Sequence, residues 1–343
     1  QSSNVVVHST QQKSKVKSKQ KILTRNATIT VTGSSRSNSG VSTAISDGLT
    51  PSAVFGKRVQ DREISLDVPD VVNVSAVFES SGTGAPSIPN LTLGSYNGPN
   101  ANNTDVIVGE IGIGQSTGAA VQVLGRNGTT KVDVIFKNNG AFSDNEEVKF
   151  QESGVRATLS AVNVGDTNIR GNFTVDSGQR EEFYDFGRLV RKQGFPEPQG
   201  QLKIYFDHYI INSEDSGDVI TANSYTKNNY DTVPSLDNIR NTDVIDLRPR
   251  VAAYSGSLSP FEYGSRDFSG GGQSSSVLVS NENLTFDYKH YLGRIDRLFI
   301  NRDSTFTVQQ GIPAVNPVEP EGVSESFELA KIEYKPYVYD ARR

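Results

Sequence analysis

No cysteine, methionine or tryptophan occurs among the 343 residues. Without Cys the chain can build no zinc ribbon, iron–sulfur cluster, thiol nucleophile or disulfide framework. Only three histidines are present, His8, His208 and His290, and none lies near enough to another in sequence to make a local metal-binding pair. No apolar run approaches the roughly 20 residues that span a bilayer, so no membrane span is expected. No charged-then-apolar signal peptide opens the chain. The lack of Met extends to Gln1, and the last residues are Tyr-Val-Tyr-Asp-Ala-Arg-Arg; the expectation is a piece of a longer polypeptide. At about 150 residues per domain the length predicts two or three domains, enough to bury a core without metals or disulfides.

What is present favours strands. Gly (31 residues), Ser, Asn, Thr and Val are frequent; β-branched residues suit a pleated surface, while Gly and Asn supply turns. Val72, Val74, Ala76 and Phe78 alternate with Asn73 and Ser75, and Ala330, Ile332 and Tyr334 alternate with Lys331 and Glu333. The denser run Gln201–Ile211 predicts a strand buried on both faces. Arg294–Ile300 and Thr305–Val308, separated by Asn-Arg-Asp-Ser, predict a hairpin. Ser177–Lys192 is the best helix candidate, with Glu181 and Glu182 early and Arg188, Arg191 and Lys192 late. Gly187 weakens it, so one short helix or none is expected. The fold class is mainly β: several β-sandwich or small β-barrel domains in series, with at most one or two short helices.

An internal repeat sits in the middle of the chain. Glu110, Gln115, Gly118, Val121 and Val123 recur at an offset of 36 as Glu146, Gln151, Gly154, Ala157 and Leu159. Each copy reads as strand, Gly-containing turn, strand, and two such units can share a buried face. The predicted domains are a basic N-terminal β domain with an extended arm (1–98), a small β domain built from the repeat (99–168) and a larger β domain (169–343). The Pro-rich stretch Gly311–Glu321 reads as a linker or extended arm ahead of the last strand.

Charge is uneven. Residues 1–60 carry nine Lys/Arg and one acid, whereas the remainder carries 25 basic and 38 acidic residues. Lys13, Lys15, Lys17, Lys19 and Lys21 fall at every second position, so an extended strand would project all five from one side. Such a row could track phosphates, but proteins that bind single strands interleave aromatics, and none occurs between residues 1 and 54. No nucleic acid is expected. The remaining readings are a lysine-protected edge or solvated strand, or an arm that docks on an acidic partner such as a neighbouring copy.

Other motifs carry plainer explanations. Gly112-Ile-Gly114-Gln-Ser-Thr-Gly118 approximates a dinucleotide fingerprint, but a strand and a further turn follow it where the motif needs a helix. Asn212–Asp218 is an acidic, Gly-containing loop without the spacing of a calcium-binding loop. Neither His208 nor His290 has a nucleophile-elbow sequence nearby. No catalytic, metal-ligating or cofactor-binding residue is assigned, no cofactor is expected, and the chain is read as no enzyme. Tyr254, Phe261, Tyr263 and Phe268 form the one aromatic-rich loop that could stack on sugar rings; their plainer role is to anchor that loop.

Five strings resemble one family: KSKVKSKQKILTRNATITVTG (Lys13–Gly33), EISLDVPDVVNVSAVFES (Glu63–Ser80), VDSGQREEFYDFGRLVRK (Val175–Lys192), NIRNTDVIDLRPRV (Asn238–Val251) and FELAKIEYKPYVYD (Phe327–Asp340). They are similar to the large virion structural proteins of contractile-tailed bacteriophages, especially those of marine cyanobacteria. The resemblance implies a tail or baseplate component, located in the virion, with no catalytic residues to carry over and with more chain beyond this piece. The function expected is that of a non-enzymatic structural subunit in the tail, baseplate or fibre-attachment region. Its partners would be other copies of itself and other virion tail proteins, joined by subunit packing and strand docking. The alternative is a receptor- or carbohydrate-binding fibre module that takes a host surface glycan.

Overall fold

A computed structural model describes residues 12, 14–32, 55–97, 102–225, 233–237, 239–256, 259–269, 283, 285, 287 and 291–336. The protein is mainly β, with several sheets and one closed six-stranded barrel. The helical turns among the described residues are short 3₁₀ turns at Asn103–Asp105, Arg170–Asn172, Ala222–Tyr225 and Tyr263–Ser265. Two compact units form, each from separated stretches of chain: Leu23–Ile210 with Pro249–Gln273, and Gln1–Ile22 with Ile211–Arg248 and Ser274–Arg343.

In the first unit, strands β1 (Lys21–Val31), β2 (Glu63–Pro69) and β3 (Val71–Glu79) precede the barrel. The barrel strands are β4 (Asn90–Asn97), β5 (Ile111–Gly114), β6 (Ala120–Asn127), β7 (Lys131–Phe136), β8 (Glu147–Phe150) and β9 (Arg156–Asn163). After it come β10 (Thr167–Asn168), β11 (Phe173–Asp176), β12 (Phe186–Arg191) and β13 (Leu202–Ile211). One sheet has the order β1-β13-β3-β10 and another β11-β12-β2. Both enclose a core that includes Ile64, Val71, Val74, Phe173, Leu189, Ile204 and Phe206. Each sheet therefore takes strands from before and after the barrel. This corrects the serial division at 98 and 168: the barrel is an insertion, it includes β4 from ahead of residue 99, and the flanking segments share sheets. The dense run around β13 pairs with β3 on one side and β1 on the other, the central position its apolar content predicts.

Of the one short helix or none expected at Ser177–Lys192, none forms: a turn is followed by β12. The φ of Gly178 is +82°, in the left-handed region, and a Cβ there would strike the backbone of Asp185. Gly187 lies against Val71, leaving no room for a side chain. Arg188, one of the late cations, instead reaches Glu63 at 2.7 Å across to β2 and Asp185 at 3.1 Å.

The barrel realises the repeat as a pseudo-two-fold. All of its pairs are antiparallel, in the cyclic order β4-β7-β6-β5-β8-β9. The register is centred on β5 and β8, where Ile113 faces Lys149 (a repeat-equivalent pair) and Gly112 and Gly114 face Phe150 and Val148. Alternation turns Val121, Val123, Val132, Val134, Val148 and Phe150 into one closed core. Burying each such side chain contributes about 1.5–3 kcal/mol.

The two repeat glutamates lock each other's turns. One carboxylate oxygen of Glu110 accepts the amide N–H groups of Glu152 and Ser153, both at 2.9 Å, and the other accepts that of Ile107 at 2.6 Å. At the equivalent positions Glu146 accepts the amides of Ser116 (2.8 Å), Thr117 (2.7 Å) and Ser143 (3.0 Å). Burial of Glu146 opposes its ionisation, but the hydrogen bonds from Thr117, Ser143 and Ser116 outweigh it and hold the carboxyl at about 2. The preceding residues, Gly109 and Asn145, share positive φ values of 95° and 56°.

In the second unit, β14 (Ser235–Leu236) and β15 (Ile239–Arg240) form a small hairpin. The strands β16 (Arg294–Asn301), β17 (Phe306–Gln309) and β18 (Ser326–Tyr334) make a sheet in the order β17-β16-β18. The predicted hairpin of β16 and β17 is present, closed by a turn in which Ser304 has a φ of 65°.

Candidate interaction site

The basic arm is docked within its own chain. Residues 14–20 run beside the acidic loop Asn212–Asp218 in the second unit, and Ser18 makes a parallel bridge to Val219. The amide of Lys17 donates to Asp218 Oδ2 at 2.9 Å and that of Gln20 to Asp215 Oδ2 at 2.5 Å. The amide of Lys19 donates to the Val219 carbonyl at 2.8 Å, and that of Asp218 returns a bond of 2.8 Å to the carbonyl of Lys17. The Ser18 and Thr221 hydroxyls are 2.6 Å apart. Gly217 permits this approach, since a Cβ on it would lie 2.6 Å from Lys19 N. Two carboxylates of the loop weighed as a cation site, those of Asp215 and Asp218, thus accept backbone N–H groups of the arm.

The lysines do not form one row. Lys13 lies outside the described residues. Lys15, whose φ of 58° breaks the extended run, and Lys17 are exposed, whereas Lys19 and Lys21 are buried. Lys19 Nζ donates to the Asp215 carbonyl at 3.3 Å. Lys21 Nζ donates to Tyr225 Oη at 2.8 Å and lies 4.8 Å from the centre of that ring. Basic arm and acidic surface do meet, but the surface belongs to the same chain, and its carboxylates take amides of the arm, not the lysine ammonium groups.

The aromatic loop does not assemble one platform. Tyr254 packs edge-on against Phe186 at 5.8 Å, Phe261 against Phe55 at 5.8 Å, and Phe268 against Phe183 at 5.6 Å. Each has a different partner in the first unit, as loop anchors do; the side chain of Tyr263 lies outside what is described. Beside Tyr254 is a recess of about 370 Å³, lined also by Ala252, Ser255, Ser265 and Asp267.

Sequence reasoning missed a buried ionic network that fixes this region. Arg266 grips Asp185 with two bonds, at 2.8 and 3.0 Å, and Arg188 adds a third. Gln179 donates to Asp70 at 3.1 Å, and Arg250 donates to the Tyr209 carbonyl at 2.8 Å. The acids and arginines are scattered along the sequence, so no local spacing signals them. His208, on β13, leans on Phe206 at 5.6 Å. Burial first, then Arg250, push its pKa down against the opposing pull of Asp70, keeping it neutral at neutral pH. His290 lies outside the described residues.

Among the described residues, exposed apolar side chains gather on the C-terminal sheet. Strand pairing puts Leu298, Ile300, Phe306, Val308, Phe327, Ala330, Ile332 and Tyr334 on one face, with the Arg294–Asp296 ion pair at its Tyr334 end. Phe306 is 67% and Phe327 71% exposed, and Val308 and Tyr334 are also open to solvent. The opposite face carries Ile295 and Phe299, both buried, with the Arg297 guanidinium 5.0 Å from the Phe299 ring. Contiguous apolar surface of this kind marks interaction sites.

No protein-family model, curated protein or solved structure matches the chain.

Proposed function

We propose that the protein is a non-enzymatic structural subunit of a contractile-tailed bacteriophage virion, placed in the tail, baseplate or fibre-attachment region. It works by packing against other copies of itself and other tail proteins. The observation that carries this reading is the open apolar face of the β17-β16-β18 sheet, where Phe306 and Phe327 stand in solvent. A face of that composition is costly to leave wet and is suited to burial in an assembly. Two further features support it. The barrel, with both of its turns locked by buried glutamates, is a stiff spacer, and the arm docks through backbone pairing of the kind that also joins subunits. The five strings similar to phage virion proteins supply the kind of particle.

Electron microscopy of purified particles, with an antibody raised against this chain, tests the reading. A fixed number of labels on the tail is expected. Absence of the chain from purified particles would overturn it.

A further inference from the structure

The barrel is inserted between β3 and β10 of one sheet, and its two connections leave and re-enter at neighbouring residues, since Thr167 pairs with Glu79. The connections are tied together: Ser87 N donates to Asp166 Oδ2 at 2.6 Å, and Asp166 N to the Ser87 carbonyl at 2.7 Å. Such a neck fixes where the barrel is attached and leaves its orientation to other contacts. One of these is apolar. Against β7, strand β6 carries an extra residue: Val123 faces Val134 and Gly125 faces Asp133, so Leu124 between them is unopposed. This bulge turns Leu124 out of the barrel core and into a cluster with Ala76, Phe78 and Tyr205, where it is buried. Burial of apolar area draws the barrel to the sheet but is non-directional, whereas hydrogen bonds weaken steeply off their axis and select one orientation.

We infer that Asn26 is the positioning residue that fixes the barrel in one orientation, by holding the bulge that delivers Leu124. On edge strand β1 its φ of 49° takes it out of the regular extended run. Its backbone N–H donates to Asp207 Oδ1 on β13 at 2.7 Å, and its Oδ1 accepts the Ser75 hydroxyl of β3 at 3.2 Å. Those two bonds aim the side-chain amide. Its Nδ2 then donates to the carbonyls of Leu124 at 2.8 Å and Val123 at 3.3 Å, at the bulge. Only a donor suits two carbonyls, and an aspartate in its place would meet them with oxygen. β1, β13, β3 and the barrel strand β6 thus meet at one residue. Beside it Arg25 lies against Gly109 of the barrel, where a Cβ would stand 2.9 Å from Arg25 Nη1. The inference concerns the chain by itself and does not depend on the virion reading.

The lack of native cysteine allows a distance measurement. Thr129→Cys, exposed on the barrel, and Glu181→Cys, exposed on the turn before β12, are combined in the full-length chain and spin-labelled. With Asn26 intact, pulsed electron paramagnetic resonance should give one narrow distance. Asn26→Gly keeps a backbone that accepts positive φ and removes only the side chain, whereas Asn26→Asp keeps the size and loses the donor. Both should replace the single distance by a broad distribution. In the same variants amide exchange should accelerate at Gly109, whose N–H bonds to the Val123 carbonyl, and stay slow at Phe150 and Leu159, whose amides bond within the barrel. A distribution that stays narrow in either variant, or is already broad with Asn26 present, would overturn the inference. So would fast exchange at Phe150 and Leu159, because Asn26 would then be needed to fold the barrel and not to orient it. A broad distribution with unchanged exchange at Gly109 would also overturn it, since orientation would be lost by a route other than the bulge.

Discussion

In the barrel the apolar members of each alternating strand, Val121 with Val123, Val132 with Val134, Val148 with Phe150, meet inside one closed wall. In the β17-β16-β18 sheet the same alternation carries Phe306, Val308, Phe327, Ile332 and Tyr334 to a face that nothing in the described chain covers fully. Composition does not separate the two, and neither does strand length. Closure does. Six strands bonded in a cycle have no edge, and their outward Leu124 and Ile135 are covered by Phe78 and Tyr205 of the neighbouring sheet, whereas three strands have two edges and two faces, of which the crossing Pro-rich stretch covers one. The barrel's outer apolar patch is met within its own unit, whereas the aromatic face of the open sheet is left in solvent.

The largest expected effect lies in the barrel. Phe150→Ala should cost about 3–5 kcal/mol, while Phe327→Ala should change stability by no more than about 0.5 kcal/mol. Urea unfolding followed by tyrosine fluorescence, usable because Trp is absent, compares them. Similar costs would erase the distinction between closed and open regions.

Next come the turn locks. Glu146→Gln should cost about 1–3 kcal/mol by weakening acceptors for buried amides. The carboxyl titrates near 4.5 when unfolded and about 2 when folded. A depressed folded value means the contribution is full above the unfolded value and is lost as pH falls. The stability gap between native chain and variant should therefore narrow from about pH 5 down to about pH 2. A gap independent of pH would refute the ionised lock.

Gly217→Ala should cost about 1 kcal/mol or somewhat more, because the added methyl meets the backbone of the arm. Amide exchange at Lys17, Lys19 and Gln20 should accelerate, and unchanged exchange would show that the arm is held some other way. The smallest effects belong to the lysines. Lys15→Gln and Lys17→Gln should stay within about 0.5 kcal/mol, whereas Lys21→Gln, which loses the Tyr225 contacts, should cost about 1 kcal/mol. Equal effects at 15, 17 and 21 would restore the idea of a uniform basic row.

The pattern of strands was legible because period-two alternation is a local property: β3, β13, the β16–β17 hairpin and the 36-residue repeat all follow from neighbouring residues. What covers a face is not local. Ala330, Ile332 and Tyr334 alternate as well as any barrel strand, and only tertiary pairing leaves them open. At 177–192 the order of charges suggested a helix, but Gly178 and Gly187 sit where backbone and Val71 leave no room for a side chain, and Arg188 spends its charge across on β2. Glu110 and Glu146 stood out by their spacing, but their hold on each other's turns depends on the β5–β8 register. Of the arm, sequence gave its charge and the acid it would seek, and could not give whose acid. The Pro-rich stretch read as a linker because its contacts with Gly293, Arg297 and Lys331 depend on the sheet beneath it.

The central claim is that the open sheet face is where the molecule meets its neighbours. Hydroxyl-radical footprinting tests it most directly, applied to the isolated chain and to the chain in intact particles. Oxidation of Phe306 and Phe327 should fall severalfold in the particle, with Phe150 unreactive in both states. Equal oxidation of Phe306 and Phe327 in the two states would contradict the account.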